Sequence, residues 1–198
     1  RKQYAAFLHD QAIQAADSGD EATAYRLLWQ VLREDPRHPQ ALKILGPLSS
    51  AVSARPQRRA MGTANEFSTL GDVQRWQSRH FEIYSRAPAV AAQRWASQLE
   101  QYYAVWTQCF YELWAPPGLL RARLAGEHTG PWPERGRLEV VYLADRAEYL
   151  KLLGLAESNI AVSVGYYNPQ VKRSFFYQGE DNRETVFHEL THQLFAEA

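Results

Sequence analysis

From Trp76 onward the spacing of apolar residues changes several times, and that succession of periods restricts the possible folds more than any other feature of the chain. His80-Phe81-Glu82-Ile83-Tyr84 alternates and is rich in strand formers. Residues 89–113 carry Ala92, Trp95, Leu99, Tyr103, Trp106, Phe110 and Leu113 at three- and four-residue steps, which predicts a helix ending before Pro116-Pro117-Gly118. Residues 123–135, with Gly126, Gly130, Pro131 and Pro133, read as loop. Residues 138–143 form a second strand, and residues 147–153 a short helix closed by Gly154. Residues 162–167 and 172–177 flank the turn chemistry of Asn168-Pro169-Gln170 and read as a β-hairpin. A last helix starts near Asp181 or Asn182, with Glu184 three residues after Asp181 as in a capping box. Strand, helix, strand, helix, hairpin, helix predicts an α+β domain with a small mixed sheet.

Residues 4–46 have a different character. Ala12, Ala15 and Ala16 precede Ser18-Gly19-Asp20, and Ala24, Leu27, Leu28, Val31 and Leu32 then recur at helical spacing as far as Asp35-Pro36. Ala41 to Leu45 starts a third helix that ends at Gly46-Pro47. The order of Ala12, Gly19, Ala24, Leu28 and Pro36 resembles one tetratricopeptide repeat. One repeat cannot bury its own faces, so the hairpin needs either further repeats before Arg1 or the following domain to pack against. The expected organisation is a helical hairpin over 1–48, a linker over 49–75 and the α+β domain over 76–198. The hairpin is a candidate surface for a protein partner.

Lys+Arg and Asp+Glu are 22 each, so the formal charge is zero, and no basic surface for nucleic acid is expected. No apolar run is long enough to cross a membrane. The single cysteine, Cys109, excludes an intrachain disulfide and reads as a small buried hydrophobe. The chain opens at Arg1 without methionine and stops within a helical pattern, which reads as a piece of a longer protein.

The chemistry is concentrated at His188-Glu189-Leu190-Thr191-His192. Residues four apart on a helix project from one side, so His188 and His192 can present two imidazoles to one zinc ion at ~2.0–2.1 Å. Glu189 beside them is placed to take a proton from a metal-activated water. The expected roles are metal ligation for His188 and His192 and general base for Glu189.

The motif is that of the zincins. In the metzincin branch Gly and His follow the second histidine at three-residue steps, but Phe195 and Ala198 stand there. The remaining pattern resembles the gluzincins, and this implies a carboxylate third ligand from a later helix, outside the given chain. Two protein ligands alone should hold zinc weakly and support no turnover. The segment from Val164 through Asn168-Pro169, the strand at 173–177, and Glu184 to Leu194 are together similar to peptidase-MA-like domains of unknown function from bacterial, often exported, proteins. That resemblance covers roughly 76–198 and implies a metallopeptidase acting on a peptide or protein substrate. Zincins generally lay substrate along an edge strand, so one strand of the hairpin should serve, with Tyr166, Tyr167, Phe175 and Phe176 lining pockets. The alternative is a helical-repeat and zincin-like scaffold that binds a protein partner without turnover.

Overall fold

The computed structural model describes residues 1–61, 71–154, 163–179 and 183–197. The chain divides into two compact units, one formed by residues 1–53 and 103–135, the other by 54–102 and 136–198.

In the first unit, α1 (Lys2–Asp17) buries Ala5, Leu8, Ala12 and Ala16, a stripe of mostly small groups at three- and four-residue steps that admits close approach of α2 (Glu21–Glu34). Gly19 takes φ +90° between them, a conformation that costs other residues energy. The Asp20 carboxylate then accepts from the Thr23 amide at 3.0 Å and caps α2. The third helix, α3 (Pro39–Ser53), does not stop at Gly46-Pro47 but runs through it. Pro47 cannot donate to the carbonyl four residues back. Donors from side chains gather at the same turn: Trp132 Nε1 donates to the Ile44 carbonyl at 2.9 Å and Ser49 Oγ to that of Gly46 at 3.2 Å.

Within this unit the hairpin packs against a segment from inside the stretch expected as the α+β domain. That segment is residues 103–135, comprising the last turns of α4 (Ala89–Cys109), then α5 (Tyr111–Trp114) and α6 (Leu119–Leu124). Their aromatics surround Tyr25, with ring centroids at 5.1 Å for Tyr111, 5.5 Å for Trp114 and 5.8 Å for Trp132. Burial pushes the Tyr25 phenol up to about 12. The Glu21 carboxylate accepts from the Tyr111 hydroxyl at 3.2 Å and from the Arg121 amide at 3.0 Å, which joins α2 to the returning segment. The stretch expected as loop therefore starts inside α6, and Arg123 lies over the Trp132 ring at 4.3 Å. Cys109 is exposed, not buried, because the last turn of α4 directs Trp106 and Thr107 inward instead.

The second unit contains a six-stranded mixed sheet with the order β1-β2-β3-β4-β6-β5 among the described residues. The strands are β1 (Gln57–Arg59), β2 (Gln74–Gln77), β3 (Phe81–Ser85), β4 (Leu138–Leu143), β5 (Gly165–Asn168) and β6 (Arg173–Tyr177). β3, β4 and β6 run parallel; β1–β2, β2–β3 and β5–β6 pair antiparallel. The α+β class with a small mixed sheet is thus what the chain adopts. Over 49–75, where a linker is expected, the described residues hold the end of α3, β1 and the first two residues of β2, Gln74 and Arg75. Gln57-Arg58-Arg59, on the edge strand β1, is wholly exposed, and β2 beside it buries only Trp76, so neither shows an apolar alternation.

One sheet face carries Phe81, Ile83, Val140, Tyr142, Ser174 and Phe176 and meets α4 and α8 (Arg183–Ala196). Trp95 of α4 stacks on Tyr142 at 4.3 Å and meets Phe176 edge-on at 5.3 Å. Phe176 is fully buried, worth roughly 1.5–3 kcal/mol in transfer terms. The opposite face packs Val141, Leu143, Phe175 and Tyr177 with Val73 and with Tyr149 and Leu153 of α7 (Arg146–Leu153). At the rim of that face Arg75 pairs with Glu82 and Arg173 with Glu139.

Just before β3, His80 holds the 1% exposed carboxylate of Glu100 twice, through its amide at 2.8 Å and through Nδ1 at 2.7 Å. Burial raises the Glu100 carboxyl, but the hydrogen bonds and charge of His80 outweigh it and hold the group below the usual glutamate value.

Candidate metal centre

α8 turns Val186, Leu190, Gln193 and Leu194 into the sheet and leaves His188, His192 and Phe195 exposed. Its expected cap, Asp181 or Asn182, lies outside the described residues. Phe187 is 37% exposed and stacks on Tyr102 of α4 at 4.4 Å. The Tyr102 hydroxyl also donates to the Phe187 carbonyl at 2.9 Å and lies against Thr191 Oγ1. These contacts grip the helical turn between the two histidines.

The histidine Nε2 atoms converge to 3.1 Å, with the rings crossed at 83°. Two nitrogens on one tetrahedral zinc at ~2.0–2.1 Å stand roughly 3.3–3.4 Å apart. The pair therefore fits a single ion after a shift of a few tenths of an ångström, and both rings are open to solvent. Among the described residues no third histidine, cysteine, aspartate or glutamate joins them. His80 is committed to Glu100, and His128 lines a surface pocket of the first unit with Pro116, Leu119 and Trp132.

Glu189 is half-buried and leans over β5, where its Oε2 accepts from the Tyr167 amide at 3.1 Å. The topology also decides which hairpin strand is the edge: β5 ends the sheet, and β6 is interior between β4 and β5. Gly165 lets β5 sit this close. A Cβ there would stand 2.7 Å from the Phe176 ring and 3.4 Å from Glu189 Cγ.

The four aromatics expected to line pockets are placed as follows. Phe175 and Phe176 are 5% and 0% exposed and belong to the cores on the two faces, because β6 is covered on both sides. Tyr167 is 9% exposed and points toward α8, where its hydroxyl donates to Glu197 at 3.3 Å. Tyr166 is half-buried against the opposite face, in register with Phe175. None of the four presents an open ring to the histidine pair.

One residue central to the site carries no motif signal. Gln193, fully buried, donates through Nε2 to the carbonyls of Glu139 and Lys172, both at 3.1 Å, and accepts from Ser174 Oγ at 2.8 Å. It ties the turn bearing His192 to β4 and β6. A polar residue on the inward face of an otherwise apolar stripe was the available clue. Gln193→Leu is expected to destabilise the chain by about 3 kcal/mol, since it strands a buried hydroxyl and removes the donor from two carbonyls. Urea denaturation measures it, and a loss below about 1 kcal/mol would show that these bonds do not anchor the helix.

The chain matches no protein-family model, no curated protein and no solved structure. Among the described residues no helix is long and apolar enough to cross a membrane.

Proposed function

We propose that this chain carries the histidine pair and general base of a zinc-dependent metallopeptidase. The observation that supports the reading is the convergence of His188 and His192 Nε2 to 3.1 Å on an exposed helix face, beside Glu189 and an edge strand. Zinc, when bound, polarises the scissile carbonyl and lowers the pKa of water toward about 7. Glu189 takes the proton from the attacking water and returns it to the leaving amine. The Tyr167 amide fixes the rotamer of that carboxylate, and Gln193 and Tyr102 hold the helix that carries all three groups. The third protein ligand in this reading is a carboxylate supplied by residues that follow Ala198. The substrate is a peptide or protein.

The test uses a chain extended past Ala198. Glu189→Gln should retain about one zinc by elemental analysis and lose peptide hydrolysis by roughly 10²–10⁴-fold. Absence of zinc from the extended wild-type chain would overturn the reading. It would favour a scaffold, for which Tyr4 and Phe7, 53% and 56% exposed and stacked on α1, offer a surface for a protein partner.

A further inference from the structure

Antiparallel pairing makes alternate residues of an edge strand turn both N–H and C=O away from the sheet. In β5 the outward residues are Gly165 and Tyr167. The Tyr167 amide reaches Glu189 rather than β6, and Gly165 faces Phe176 as the close, non-hydrogen-bonded kind of pair. Among the described residues, three of their four outward groups are already occupied. Ser163 Oγ accepts from the Gly165 amide at 3.2 Å and donates to the Gly165 carbonyl. Its remaining lone pair accepts from the Tyr149 phenol at 3.2 Å, so this hydroxyl is fully used and held in place. Glu189 takes the Tyr167 amide. The fourth group is the Tyr167 carbonyl.

The edge also ends just past Tyr167. Asn168 Oδ1 accepts from the amides of Gln170 and Val171 at 2.9 and 3.3 Å and closes the turn. Lys172 pairs with Glu197 at 2.9 Å, on the carboxylate that Tyr167 also contacts.

We propose that Ser163, fixed by Tyr149, restricts this edge to one main-chain hydrogen bond, from a substrate amide to the Tyr167 carbonyl, so that the site selects short peptides or chain ends over a long paired strand. The substrate assignment rests on the metallopeptidase reading; the covered edge does not. Ser163 and Tyr149 are specificity residues here, acting by occupying groups that a longer peptide would need.

The experiment uses the 198-residue chain without metal. Amide exchange followed by NMR should show the Gly165 and Tyr167 amides protected although they face outward. Ser163→Ala should speed exchange at Gly165 about tenfold and leave Tyr167 unchanged. Tyr149→Phe, which keeps the ring, should move Gly165 the same way by a smaller factor. Calorimetric titration with N-acetylated Ala-Val peptides of increasing length supplies the second readout. Wild-type affinity should level off by the tripeptide, while Ser163→Ala should gain about tenfold more by the hexapeptide, as two main-chain groups become free. Unprotected Gly165 in the wild type, equal length dependence in both forms, or no peptide binding by either would each overturn the proposal. Neither readout involves zinc or turnover, so failure of the metal assignment is detected separately, by the zinc analysis of the extended chain.

Discussion

In the chain extended past Ala198, His192→Ala is expected to weaken zinc binding by on the order of a hundredfold while leaving the fold intact. A four-ligand zinc site is worth roughly 10–16 kcal/mol, so one ligand carries about 3 kcal/mol, or about 10²-fold. His192 is exposed, and among the described residues its hydrogen-bond partner is the other histidine, at 3.1 Å. Nothing in the core rests on it, and a surface change of this kind shifts stability by about 0.5 kcal/mol or less. Competition against a chromogenic chelator measures the affinity, and thermal unfolding without metal measures the fold. His188→Ala should behave alike, because the two nitrogens bear on one point. Unchanged zinc affinity in both variants would mean that the pair is a solvated surface feature.

His80→Ala should cost far more stability than any change at the histidine pair, about 3–5 kcal/mol at neutral pH. It removes the Nδ1 contact from a carboxylate only 1% exposed, and leaves Glu100 charged and buried without the imidazole that faces it, held by the residue-80 amide and the Ser78 hydroxyl. The pH dependence separates this cause from lost packing. Glu100 titrates below the ordinary glutamate value in the folded wild type, because the bonds and charge of His80 outweigh its burial. Its contribution is therefore complete above the unfolded value of about 4.3, and is lost as pH falls through the lower folded value. The same protonation relieves the uncompensated charge in the variant. The gap between wild type and His80→Ala should narrow on acidification from about pH 7 to about pH 3, read from urea midpoints. A gap independent of pH would assign the loss to packing alone.

Much of the second unit was legible because its central elements are covered on a regular side. The expected strands at 80–84, 138–143 and 172–177 correspond to β3, β4 and β6 within a residue, and the expected helix at 147–153 to α7. Interior strands and packed helices must place apolar groups at their own period, so the pattern survives in the sequence. β1 and β2 left no such trace. They sit at the polar margin of the sheet, where backbone pairing holds the strand and side chains are free to be Gln and Arg. The helix through Pro47 was hidden for a related reason. Trp132, whose Nε1 donates to the Ile44 carbonyl in that turn, lies 85 positions beyond Pro47 in the chain.

The candidate site divides along the same line. His188, Glu189 and His192 lie within one helical turn, so local spacing alone put both imidazoles on one side with the carboxylate beside them. The α+β class and the helical hairpin were likewise set by local periodicity. Only the tertiary structure decided that β5 is the edge, that Phe175 and Phe176 are core, and that residues 103–135 cover the hairpin. It alone placed Gln193 against β4 and β6, Glu189 on the Tyr167 amide, and Ser163 over Gly165. Those contacts join residues whose spacing follows no period, and strand order and burial exist only once distant segments have paired.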